Sequence, residues 1–137
     1  MNAEWQGIQL RIGTTAYAMG LAVVSLLPSG GGGSTAAWDV SISSQLQDAM
    51  HVVAYGILVV LSVRRSDGRG PSWRDLLSAG VCTWVFGFSL ELLQRQVPGR
   101  YATISDLARN TLGVGLGLVL LVVWRWSRAT RSKETGE

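Results

Sequence analysis

The chain has 137 residues, 47% of them hydrophobic and only 15% charged, with a mean hydropathy of +0.26. It is too short for two ordinary domains and too apolar for a typical soluble one. Twelve Lys and Arg against nine Asp and Glu leave a formal charge of +3, but the basic residues collect at the ends of apolar runs, which argues against a nucleic-acid partner.

Four apolar runs follow one another along the chain. The first, residues 8–27, stops at Pro28, and residues 29–34 read SGGGGS, a flexible connection. Arg11, near the start of that run, is expected to snorkel to an interface. A competing reading takes this run as a secretory signal cleaved among the small residues 34–37, although it is longer than the apolar core of such a signal. The second run, 46–63, ends at Arg64 and Arg65; the third, 76–93, ends at Gln94 and Arg95 ahead of Pro98 and Gly99. Cys82 cannot form an internal disulfide, and its apolar neighbours predict a small buried thiol. The fourth run, 104–126, precedes a basic tail, 127–137, whose shortness and polarity predict an unfolded segment drawn to anionic lipid. Each run is close to the ~20 residues of a membrane helix, and none shows the alternation of a barrel strand. The expected fold is all-α: an integral membrane domain, 1–126, of four transmembrane helices.

Charge placement predicts the orientation. Arg64, Arg65, Arg69 and Arg74 follow the second run, and Arg125, Arg128, Arg131 and Lys133 follow the fourth, whereas the first connection carries no basic residue. Basic loops favour the cytoplasm, so both termini are expected there. Trp5, Trp38, Trp73, Trp124 and Trp126 fall near the expected span ends, where indoles prefer to lie.

Polar residues gather at the opposite ends of the spans. Asp48, His51 and Tyr55 share one helical face at the start of the second span. Glu91 and Gln94 share a face at the end of the third, and Asp106 and Asn110 share one at the start of the fourth. All seven are expected at the extracytoplasmic side; Trp84, two turns before Glu91, is read either as a wall of the same pocket or, in preference, as a lipid-facing or packed indole. Gly113 and Gly117 continue the Asn110 face, with Gly115 beside it, as a small-residue strip that lets another helix approach closely.

The ordered set Asp48-x-x-His51-x-x-x-Tyr55, Glu91-x-x-Gln94-x-x-x-Pro98-Gly99-Arg100 and Asp106-x-x-x-Asn110-x-x-Gly113-x-x-x-Gly117 resembles the VanZ-like family of small bacterial membrane proteins. Family members often carry Lys directly after the first Asp, where this chain has Ala49. The resemblance implies a four-span inner-membrane protein and, through a founding member, a link to tolerance of the glycopeptide teicoplanin.

The residue types favour binding over catalysis. His51, Arg95, Arg100 and Arg109 suit an anion, while Tyr55, Gln94, Asn110, Asp106 and Glu91 suit hydroxyl or amide groups, a mixture matched to the head group of an envelope lipid or to a glycopeptide. The bilayer is the first expected partner, and a membrane-protein partner packed through Gly113 and Gly117 is an alternative. Catalysis would use His51 with Asp48 and Glu91 on a lipid-linked head group, but no nucleophile elbow or phosphate-cradling loop accompanies them. No cofactor is expected, and a metal site is disfavoured because closed zinc sites draw on more Cys or His. A purely structural reading also stands: the cluster would tie helices together, with Asp48 and Asp106 complementing helix N-termini.

Overall fold

The computed structural model describes residues 3–27, 44–63, 70–97 and 103–134. Four helices make up this part, α1 (Ala3–Leu26), α2 (Ser44–Ser62), α3 (Trp73–Gln94) and α4 (Ile104–Glu134), with no strand among the described residues. The all-α expectation therefore holds. By length and composition two of the helices, α3 and α4, are long and apolar enough to cross a membrane, and α2 contains a shorter apolar stretch, Ala49–Ser62. The expected loop glycines and residues 34–37, with Trp38, Arg64, Arg65 and Arg69, lie outside the described residues.

Consecutive helices run antiparallel. Thr14 Oγ1 in the middle of α1 donates to the Leu61 carbonyl near the end of α2 at 3.1 Å, while α3 lies parallel to α1, Gln94 Nε2 at its end donating to the Ser25 carbonyl near the end of α1 at 2.9 Å. Tyr17 Oη adds a bond from α1 to the Ala54 carbonyl of α2 at 3.2 Å. The helix starts and ends therefore fall into two layers: the starts of α1 and α3 with the ends of α2 and α4, and the reverse. Helices α2 and α3 touch each other and α1, while α4 packs on α2 and α3 and makes no contact with α1 among the described residues.

The interface between α2 and α4 is the most extensive in the molecule. It rests on backbone meeting backbone. A Cβ built on Gly117 would lie 2.8 Å from the Gly56 carbonyl oxygen and would collide with the Val59 side chain; one built on Gly113 would collide with the Val52 carbonyl. Side chains would hold the helices apart here, so the small-residue strip faces α2 of the same chain. A second protein cannot use that strip while α2 covers it. Gly115, beside the strip, faces open space.

Tyr55, Val59, Val63, Leu76, Ala79, Val114 and Leu121 form the core between α2, α3 and α4. Outside it the surface is apolar on every helix: Ile12, Val53, Leu77 and Leu120 are each more than half exposed, Leu77 to 69%. A water-facing monomer rarely shows apolar surface on this scale, and hydrocarbon is the solvent it matches.

Several local expectations are corrected. Helix α3 begins at Trp73, three residues before the apolar run, because Ser72 caps it: the Ser72 hydroxyl accepts from the Asp75 N–H at 3.2 Å while Asp75 Oδ2 accepts from the Ser72 N–H at 2.8 Å. The tail is not unfolded after Trp126, since α4 continues to Glu134. Extending a helix that already exists costs far less than nucleating one, and Arg128 stacked 4.4 Å over the Trp124 ring supports the extra turn. Cys82 is exposed rather than buried, since the buried face of α3 runs through Ala79, Gly80, Thr83 and Gly87.

Gly117→Ala is expected to destabilise the folded protein by about 1–3 kcal/mol, the usual cost of overpacking. Gly115→Ala, pointing into open space, is expected to be neutral or to stabilise by up to about 1 kcal/mol through helix propensity. Denaturant titration of both variants in detergent micelles, followed by circular dichroism, measures the difference.

Candidate functional site

The start of α2, the end of α3 and the start of α4 meet in one layer, and the polar residues there fall into two tiers. The inner tier is Tyr55, Glu91 and Asn110, which are 2%, 6% and 1% exposed. Asn110 Nδ2 on α4 donates to Glu91 Oε1 on α3 at 3.1 Å, and Tyr55 on α2 lies within electrostatic reach of Glu91. Three helices thus contribute one group each to an enclosed junction. Such contacts in lipid are worth about 0.6 kcal/mol each on average, but an unsatisfied alternative is costly.

Glycine positions this tier. Tyr55 sits with its ring against α3 at Gly87, where a Cβ would come within 2.7 Å of Cε1 and 3.3 Å of Oη. Asn110 is one turn before Gly113, so the close approach of α4 to α2 also carries its amide to the centre of the bundle. The Asn110 Oδ1 atom is buried and accepts no hydrogen bond among the described residues.

The outer tier is His51, Asp106 and Arg109, all part-exposed. Asp106 serves its own helix first. Thr103 precedes α4, and its N–H and hydroxyl both donate to Asp106 Oδ2, at 3.1 and 2.7 Å, while its hydroxyl oxygen accepts from the Asp106 N–H at 3.3 Å. The other oxygen, Oδ1, takes Arg109 Nη1 at 2.7 Å one turn later. His51 of α2 lies close enough to Asp106 for their charges to interact. An acid, an imidazole and a guanidinium therefore stand together at the end of the bundle, with the buried junction beneath them.

The structure does not bring all the candidate residues to one place. Gln94 is buried but turned to α1, where it holds the Ser25 carbonyl. Arg95 is exposed at the C-cap of α3. Arg100 and the side chain of Asp48 lie outside the described residues. Among the described residues no three His, Cys, Asp or Glu side chains assemble as a metal-ligand set.

Other residues complete this end of the bundle, Trp84 among them as a packed indole. Trp84 stacks parallel on Phe88 with centroids 5.6 Å apart and donates through Nε1 to Thr111 Oγ1 at 3.0 Å, fastening the outer side of α3 to α4. The pair Thr103-x-x-Asp106 was legible as a helix start, because a hydroxyl followed three residues later by a carboxylate is the capping pattern. The roles of Gly56 and Gly87 had no such signal, since glycine is common in membrane helices.

Truncation of the junction is expected to unfold the bundle before it alters any chemistry. Asn110→Leu removes the amide donor to Glu91 and should cost about 1–3 kcal/mol. A double-mutant cycle with Glu91→Gln should return a coupling of about 0.6 kcal/mol and no more than about 1.7, read from unfolding in detergent.

A family model described as VanZ/LLP1 matches residues 8–125, a stretch that begins in α1 and takes in α2, α3 and most of α4. No curated protein and no solved structure matches the chain.

Proposed function

The chain belongs to the VanZ/LLP1 family, and on that premise we propose that it crosses a bacterial inner membrane four times and meets the head group of an amphipathic cell-envelope molecule at the tier formed by His51, Asp106 and Arg109. Both termini face the cytoplasm, and the tier faces outward. The expected consequence is altered susceptibility to a lipophilic glycopeptide such as teicoplanin.

One observation carries the reading: part-exposed ionisable groups from α2 and α4 stand over a junction that is itself enclosed. A network serving only to join helices has no need of a second, accessible tier. An imidazole and a guanidinium beside a carboxylate can accept and donate to phosphate, sugar hydroxyl or peptide amide. The apolar flanks of α3 and α4 match the lipid portion of such a molecule. The antiparallel order puts Arg74 and Arg125 at the other end, as cytoplasmic anchors would be.

Orientation is tested by labelling. With Cys82 replaced by Ala, a cysteine at Thr103 is expected to react with an impermeant maleimide on intact cells, and one at Ser127 only after permeabilisation. The reverse pattern sinks the topology.

Function is tested by expressing the chain in a teicoplanin-susceptible bacterium. The native chain should lower susceptibility, and His51→Ala and Arg109→Gln should remove the effect while the protein stays in the membrane at undiminished abundance. No change in susceptibility with the native chain would overturn the glycopeptide link. Loss of the protein itself in both variants would return the tier to a structural role.

A further inference from the structure

The end of the bundle opposite the tier carries a second constellation that the proposed function leaves unused. Arg125, in the last third of α4, lies 5.2 Å from the centroid of the Trp73 ring at the start of α3, and its Nη1 donates to the Pro71 carbonyl. One turn on, Arg128 lies over Trp124. Arg74, next to Trp73, is exposed.

Two arginines are thus held at fixed places on indole faces. A guanidinium stacked as Arg125 is on Trp73 keeps its edge for hydrogen bonding. For Arg125 a single N–H goes to Pro71, and the rest of the fork remains for an acceptor. Below the two indoles the surface is greasy: Leu77, one turn inward of Trp73 on α3, and Leu120, one turn inward of Trp124 on α4, are 69% and 65% exposed. Positive groups above an apolar wall match a phosphodiester whose acyl chains run down the protein.

We infer that the seam between the start of α3 and the end of α4 is a binding site for one anionic phospholipid, its phosphodiester held by Arg74 and Arg125 with Arg128 beside them. The site goes beyond general attraction of a basic end to a charged surface, because Trp73 and Pro71 orient Arg125 before the lipid arrives. It rests on the membrane reading of the chain and is independent of what the opposite tier binds.

Native mass spectrometry of the full chain in detergent, titrated with phosphatidylglycerol or phosphatidylcholine, tests it. Phosphatidylglycerol should be retained preferentially, and Arg74→Gln and Arg125→Gln should each weaken its binding about fivefold, the effect of removing one cation near an anionic head group. Arg95→Gln, at the other end, should leave it unchanged. Because Arg125→Gln also removes the bond to Pro71, the exposed Arg74 is the cleaner variant. Equal retention of the two lipids overturns the site, as does a phosphatidylglycerol preference that survives the double variant. Displacement of the lipid by inorganic phosphate at constant ionic strength would reduce it to a site for free anions, against the inference. Carbonate extraction separates the two failures: a chain that washes off membranes defeats the membrane reading, while a retained chain with no lipid preference defeats this site alone.

Discussion

The close approach of α2 and α4 is the constraint on which the rest of the molecule depends. In hydrocarbon no hydrophobic force draws one apolar helix to another, so association needs tight packing and interhelical hydrogen bonds. Gly56, Gly113 and Gly117 supply the packing by bringing two backbones together without side chains between them. That contact sets the position of Tyr55 against α3 and carries Asn110 to Glu91. A larger residue in the strip would move the amide from the carboxyl as well as opening the core.

Burial sorts the polar residues into different kinds of work. Glu91 and Asn110 are enclosed and spend their bond on each other, and Gln94 spends its bond on α1. Asp106 holds the first turn of α4 through Thr103 and then Arg109. These are structural duties. Among the described polar residues of this end, those left part-exposed are His51, Asp106 and Arg109. Asp106 is the group they share, bonded to Arg109 and close enough to His51 for their charges to interact.

The two ends of the bundle are built on different principles. At one end ionisable groups face each other across helices over an enclosed base. At the other, arginines lie on tryptophan faces at the ends of long apolar helices, an arrangement suited to the boundary between lipid and water. Helix α4 joins the two, at about 46 Å long for its 31 residues, against a hydrocarbon core of about 30 Å.

Helix number and rough placement were decided locally, because a run of ~20 apolar residues in lipid must satisfy its own backbone hydrogen bonds and a helix does that within the run. Thr103 with Asp106 and Ser72 with Asp75 were equally local, each being a cap written in four residues. Helical periodicity put Asn110, Gly113 and Gly117 on one face without saying what that face meets. Only the tertiary structure decided that α2 meets it, that Gln94 turns to α1 and not to its neighbours in the cluster, and that Cys82 stays exposed. The physical reason is that a helix rotates as a rigid rod: periodicity fixes which residues point the same way, while the packing of the other three rods fixes which way that is.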